Sequence, residues 1–366
     1  MLVKSTVPFW KLALVVVCIL FGTAYLSAES DLFFTLRNTL SSPSVTGPGA
    51  GNDTLGFGAI YVLTEDASSW RVQGLRRAAR LIGLRLVIPI QRQIPHERLL
   101  SQVSGEVVEG YGRSRALVNH LALLDTIAQA PYETALVLED DVDFGLDIRA
   151  QMDLVSKAFW SRAGGAPESR HPEQEALHPY CDHEWDIFWP GHFGMSFVDG
   201  TEIYKYHDPY ALPWNRLKTN FNNYYEQMAA SKPPEPQQLI FNVAPLSTYA
   251  YAITKSHAAR LVQKIRNDKA DSFDTALHID CVGKAHRCVA PVPQLFHHHR
   301  VMGGKVSSGK EASAGNDGVV QNMAWYRTKH KYTYNIEWSA RCNAVGAGEK
   351  VGEVWQCLPG RGDGEI

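Results

Sequence analysis

The stretch Ala135-Leu136-Val137-Leu138, followed at once by Glu139-Asp140-Asp141, limits what this chain can fold into more than any other feature. Four consecutive apolar residues bounded by polar ones suit a buried strand. The preceding sequence supplies partners for it. Ala59 to Leu63 is a second apolar run of strand length, and Leu84 to Ile90 reads as a third. Between them, Trp70 to Ile82 is an amphipathic helix. Leu75, Ala78, Ala79 and Ile82 share one face, Arg71, Arg76, Arg77 and Arg80 populate the rest, and Gly83 ends it. Arg115 to Ala130 repeats the pattern with Leu117, Leu121, Leu124 and Ala128. Strands alternating with helices predict an α/β body around a largely parallel sheet. The second half is less regular. Trp185 to Trp189 reads as a strand running into Pro190-Gly191, residues 207–240 as a long surface excursion, Ser247 to Ile253 as a strand, and Ser256 to Ile265 as a helix.

The chemistry follows from where the acids stand. In open parallel sheets, ligands gather outside the carboxyl ends of the strands. Adjacent carboxylates repel one another, which is costly unless a cation lies among them. Oxygen ligands suit manganese, magnesium or calcium. The expectation is that Asp141 ligates the ion, with Asp143 as a further ligand, and that Glu139 and Asp140 contact a ribose or the ion's waters. A divalent ion beside a diphosphate would offset the charge of that leaving group. The alternative is a solvated acidic turn that caps the next helix. His297, His298 and His299 follow the apolar pair Leu295-Phe296. One of them, taken as His298, could complete the metal shell as a neutral imidazole, although such a run also suits a loop lining. Asp66 and Arg71, after the first strand, are candidate nucleotide contacts or simply solvated loop residues. His120 could reach a donor or be a hydrogen-bonded helix histidine. Asp186 and Asp274 are candidate general bases, with Asp143 and Asp280 next; each could instead cap a turn or pair with a Lys or Arg.

The N-terminus is different in kind. Residues 12–28 carry no charge, Lys4 and Lys11 precede them, and Glu29 and Asp31 follow. This length is at the low end for a spanning helix. Upstream Lys favours a cytoplasmic tail, residues 1–11, and a translocated body. A cleaved signal peptide is the competing reading, but Leu26, two before Ala28, fits a small-residue cleavage rule poorly. Either way the body enters the secretory lumen of the endoplasmic reticulum or Golgi, or is secreted if the segment is cut. Residues 29–57, rich in Ser, Thr, Gly and Pro, predict a flexible stem ahead of a body spanning residues 58–341. Asn52-Asp53-Thr54 is an N-glycosylation acceptor. Past the anchor stand Cys181, Cys281, Cys288, Cys342 and Cys357. Oxidising conditions favour disulfides, with Cys281–Cys288 and Cys342–Cys357 the nearest-neighbour pairs and Cys181 left over. A zinc cluster is disfavoured because no C-x-x-C spacing is present. The tail, residues 342–366, rich in Gly and Glu, is expected to be partly disordered.

The order of segments resembles glycosyltransferase family 25, which includes bacterial lipooligosaccharide galactosyltransferases and procollagen galactosyltransferases. IYVLTEDASSWR is similar to that family's first strand and polar loop ending in Arg. RALVNHLALL keeps the His of a Ser-His pair as His120, with Asn119 where the Ser would stand. LVLEDDVDF matches closely, and WDIFWPGHFG resembles a Trp-Asp strand running into glycine. STYAYAITKSHAARLV, SFDTAL and PQLFHHHR follow in the family's order, the last resembling fungal members, with a weaker echo at Tyr334 to Arg341. The resemblance covers residues 58–300. It implies a Rossmann-like nucleotide-sugar transferase fold of the A type, an acceptor-binding second half and inversion at the anomeric carbon. Because SFDTAL then lies beside the acceptor side, it ranks Asp274 ahead of Asp186 as the base.

The expected activity is therefore transfer of a hexose, galactose or glucose, from a nucleotide diphosphate-sugar such as UDP-hexose to a protein or glycan hydroxyl. Manganese or magnesium is the expected cofactor. A metal-dependent phosphoesterase and a calcium-dependent sugar-binding module are the rivals. A net charge of -2 over 366 residues gives no reason to expect nucleic acid as a partner, and 45% hydrophobic residues allow a large core.

Overall fold

The computed structural model describes residues 49–89, 111–163, 177–212, 217, 237–268, 270, 272–299, 335–336 and 338–344. The expected cytoplasmic tail (residues 1–11), the anchor over 12–28 and the stem up to residue 48 lie outside them. Among the described residues no helix is long and apolar enough to cross a membrane.

Among the described residues, ten strands and six helices organise the body. The strands are β1 (Ala59–Leu63), β2 (Leu86–Val87), β3 (Thr134–Glu139), β4 (Val142–Phe144), β5 (Ile187–Gly191), β6 (Met195–Tyr206), β7 (Gln237–Pro245), β8 (Ala250–Thr254), β9 (Cys288–Val292) and β10 (Phe296–His298). The helices are α1 (Trp70–Ile82), α2 (Tyr111–Gln129), α3 (Ile148–Arg162), α4 (Lys255–Asp268), α5 (Phe273–Val282) and the short α6 (Ala340–Asn343). Eight strands form one sheet in the order β2-β1-β3-β8-β5-β9-β7-β6, and β10 pairs with β4 in a separate ribbon.

The α/β class is as expected, but the sheet is mixed. β1 runs parallel to β2 and β3, whereas β8 lies antiparallel between β3 and β5. The strand predicted over 84–90 is trimmed to Leu86–Val87. The strand predicted from Trp185 begins at Ile187 instead, because Asp186 is occupied by Arg287.

Alternation along the strands divides the core in two. Tyr61, Ala135, Val137, Trp189 and Tyr251 face α2, α4 and α5, whose Leu121, Leu261 and Leu277 pack against them. Ile60, Val62, Leu136, Leu138 and Phe188 face α1 and α3, meeting Leu75, Met152 and Phe159. With both faces covered, ALVL had to be continuously apolar. Ser69 caps α1 by accepting from Val72 N, and Gly83 ends it in the left-handed region at φ 72°.

Two boundaries move. Ala50, Leu55 and Phe57 are buried, Phe57 stacks on Tyr180 at 4.7 Å, and Arg85 pairs with Asp53 at 3.2 Å. The body therefore already includes residues 49–57, expected in the stem, because Leu55 and Phe57 carry apolar area that packs under β1. At the other end, residues 335–336 and 338–344 pack on the body through Ile336, Ala340 and Arg341. Residues 342–344 of the expected tail thus belong to it, and residues 345–366 lie outside the described residues. Cys281 and Cys288 form the expected disulfide, joining α5 to β9. Cys342 is also disulfide-bonded, Cys357 of the expected Cys342–Cys357 pair lies outside the described residues, and Cys181 is a buried thiol.

Candidate metal centre

Strands β1, β3, β5 and β9 point the same way, so their carboxyl ends share one edge of the sheet. The acidic turn leaves β3 at that edge. Glu139, Asp141 and His298 bring one ligand atom each to within 4.8 Å of one another. His298 Nε2 stands 3.3 Å from Glu139 Oε2 and 3.6 Å from Asp141 Oδ1. Two carboxylates and one imidazole are a donor set that manganese accepts, so the residues present fit a divalent ion.

The register explains who joins. β10 pairs antiparallel with β4, setting His298 opposite Val142 and His297 opposite Asp143. Backbone alternation then turns His298 towards the edge and its neighbours away. His297 packs on the Tyr249 ring at 4.7 Å, and His299 Nδ1 lies 3.3 Å from Asp143. Tyr249 also covers His298 at 3.9 Å, and Thr248 donates to Glu139 Oε1 at 2.7 Å. Burial works to raise the Glu139 carboxyl, but the hydrogen bond and charge of His298, with His120 and Thr248, hold it below its ordinary range.

Asp140 points elsewhere. Thr64, at the start of the loop after β1, donates to its Oδ2 at 2.6 Å, and the Arg71 guanidinium stands 3.9 Å away. Burial, then the charge of Asp141, pushes its carboxyl up to about 6 despite those partners. Arg71 Nε is buried without a partner among the described residues. That orphaned donor is what a ligand phosphate or sugar oxygen would satisfy. Asp66 is exposed and turns back on its own loop, accepting from Ser68 N at 2.8 Å.

His120 enters from α2. It is 2% exposed, its Nδ1 lies 3.0 Å from Tyr251 Oη, and its Nε2 is 3.8 Å from Glu139 Oε1. Phe273 stacks on it at 4.1 Å. Burial pushes the imidazole down to about 4, against the opposing charges of Glu139 and Asp274, so it is neutral at pH 7. Asp274 is thus within electrostatic reach of this side of the cluster. It lies in the first turn of α5, accepting from Thr275 N at 2.9 Å, while Ser272 is the N-cap residue.

Two expected site residues stand apart. Asp143 is fully buried and accepts from Phe144 N at 2.8 Å, Arg341 N at 3.2 Å and the Ser339 hydroxyl. With its oxygens engaged inside the protein, it is a structural node and not part of the cluster. Asp186 precedes β5 at the opposite end of the sheet. Ile187 is level with Ile253 and Ala135, roughly 15 Å from the Glu139 end at the usual strand rise. It accepts from Arg287 N at 2.9 Å and pairs with the Arg287 guanidinium at 2.9 Å. Burial opposes ionisation, but those bonds hold its carboxyl down at about 2. The ion-pair alternative describes it.

Sequence reasoning passed over Thr64, Thr248, Tyr249, Ser339 and Arg341. All five lie in segments that carry the family resemblance, but nothing in those segments singles them out, because each acts on a residue far away in sequence. No protein-family model matches the chain, and a search of curated proteins finds no match.

Proposed function

We propose that this chain is an inverting, metal-dependent glycosyltransferase of the family 25 type, with an A-type nucleotide-sugar fold. Its reaction would move a hexose, galactose or glucose, from a nucleotide diphosphate-sugar, UDP-hexose foremost, to a protein or glycan hydroxyl. The observation that carries this reading is the Glu139–Asp141–His298 cluster at the carboxyl end of β3, beside the loop from Thr64 to Arg71.

Glu139, Asp141 and His298 would hold a manganese or magnesium ion, which when bound would supply positive charge beside the departing diphosphate. Arg71 adds a second cation on the same side, its Nε able to donate to a phosphate or ribose oxygen. Asp140, tied to Thr64, fixes the loop that would cover the nucleotide. On the His120 side, Asp274 is the proposed base. The acceptor oxygen bonds to the anomeric carbon as the carbon–diphosphate bond breaks, and the hydroxyl proton passes to the Asp274 carboxylate. Neutral His120 and Phe273 orient that side. The buried Cys281–Cys288 disulfide supports an oxidising compartment. With the charge asymmetry around residues 12–28, it favours a type II protein of the endoplasmic reticulum or Golgi.

The test is donor turnover by the full chain, with UDP-sugars and generic phosphoesters, in manganese or chelator. Asp141→Ala should lose manganese-dependent turnover at least 100-fold while melting cooperatively. Undiminished turnover in chelator, or faster cleavage of simple phosphoesters than of UDP-sugars, refutes the reading.

A further inference from the structure

The acidic turn is not held by its own strand alone. Arg341, 190 and more residues downstream, is 2% exposed and wedged under it. Its Nε donates to Val142 O at 2.5 Å, its Nη2 to Asp140 O at 2.6 Å and its Nη1 to Arg71 O at 2.8 Å. The remaining carbonyl of the turn, Asp141 O, accepts from His299 N at 2.7 Å. Every backbone carbonyl from Asp140 to Val142 is therefore engaged by a segment remote in sequence. The segment bearing Arg341 is itself pinned to the turn. Its backbone N and the Ser339 hydroxyl both donate to Asp143, Ser339 bridges to Gly145, and Leu146 N donates to Trp338 O at 3.0 Å.

We infer that Arg341 is a positioning residue: its guanidinium sets the metal-carrying turn and the first turn of α1, with Arg71, in one fixed relation. The inference rests on the metal reading of Glu139, Asp141 and His298. The guanidinium suits this task for a geometric reason. It presents five N–H groups in a planar fork, and here three carbonyls from two segments accept from it. A Lys ammonium keeps the charge but not that span. Without the fork, the Asp140 and Val142 carbonyls on either side of Asp141 lose their partners, and the bond from His299 N to Asp141 O holds the turn on one side only. The Asp141 carboxylate then leaves the position that puts it 3.6 Å from His298. Groups that orient metal ligands typically change metal affinity 10–100-fold when removed.

The experiment titrates the full chain with Mn2+, reading the free ion by electron paramagnetic resonance, and measures melting with and without Mn2+. Wild type, Asp141→Asn, Arg341→Lys and Arg341→Met are compared. The expected result is cooperative melting of Arg341→Lys with Mn2+ affinity about 10–100-fold below wild type, and Arg341→Met at least as weak. Mn2+ should then raise the melting temperature of either variant less than that of wild type. Arg341→Lys binding Mn2+ within twofold of wild type, however far its melting temperature falls, overturns the inference and leaves Arg341 a stabilising residue only. Should Arg341→Met fail to fold, Arg341→Lys decides; failure of both to fold also overturns it in favour of a purely structural role. The two readings separate cleanly. Wild type that binds no Mn2+ defeats the metal reading and this inference with it. Wild type that binds, Asp141→Asn that does not, and Arg341→Lys equal to wild type defeat this inference alone.

Discussion

Gly191 closes β5 at the point where the sheet meets the ribbon that carries His298, and replacing it with Ala measures how tightly that junction is packed. A Cβ there would lie 2.7 Å from Ala250 N, 2.8 Å from Ala250 Cβ and 2.8 Å from Phe296 Cβ. Carbon atoms in contact prefer about 3.5–4.0 Å, so the new methyl is about 1 Å too close on three sides. One of those neighbours is backbone of β8, paired with Gly191 in the sheet, and cannot turn away as a side chain would. Overpacking typically costs about 1–3 kcal/mol, and three simultaneous shortfalls put this site near 3 kcal/mol. Gly191 is not among the positive-φ residues, so Ala also gains about 0.4–1 kcal/mol from a less disordered unfolded chain. The net expectation is a loss of about 2–3 kcal/mol, read by equilibrium urea unfolding. Relief of the clash moves Phe296, two residues before His298, so Mn2+ affinity should fall in the same variant. Gly200 supplies the control. It has φ 78° and nothing within 4 Å of a Cβ. Gly200→Ala should cost about 1 kcal/mol through backbone strain alone, leaving Mn2+ binding unchanged. If Gly191→Ala is as stable as wild type, or Gly200→Ala is the more damaging of the two, the packing argument is wrong.

Three further outcomes are expected. Asp186→Asn should keep turnover within twofold and lose about 1 kcal/mol of stability at pH 7, since Arg287 is half exposed and the pair is screened; a drop in turnover by orders of magnitude would restore Asp186 as the base. Because the folded carboxyl is held at about 2, below its ordinary 3.8, the stability it contributes is complete above about pH 4 and is lost as pH falls towards 2, which acid titration of wild type and variant would register. Replacing both Cys281 and Cys288 with Ser should cost about 2 kcal/mol, the low end for a loop with a sequence separation of 7, and an unchanged urea midpoint would contradict this. In microsomes the body should resist protease until detergent is added, and Asn52→Gln should abolish any glycan. That change should also weaken the turn in which Asn52 Oδ1 accepts from Thr54 N and Gly56 N, each at 2.9 Å; digestion without detergent would refute the lumenal orientation.

What the sequence alone determined follows from short-range periodicity. ALVL had to be a buried strand, α1 had to end at Gly83, and β3 had to release three carboxylates at a sheet edge, because burial and backbone geometry act residue by residue. The Cys281–Cys288 pairing was legible for the same reason, being close in sequence. Tertiary structure alone decided which acids belong together. Asp143 and Asp141 are two residues apart and chemically identical, yet one is sealed beneath Ser339 and Arg341 and the other meets His298. Asp186 was a candidate base by sequence, yet its carboxylate pairs with Arg287, a residue 101 positions away. The antiparallel insertion of β8, which aims Thr248 at Glu139, left no periodic trace either. Pairing across such distances depends on strand register and on which partner arrives to satisfy a buried charge, and neither is encoded in the spacing of neighbouring residues.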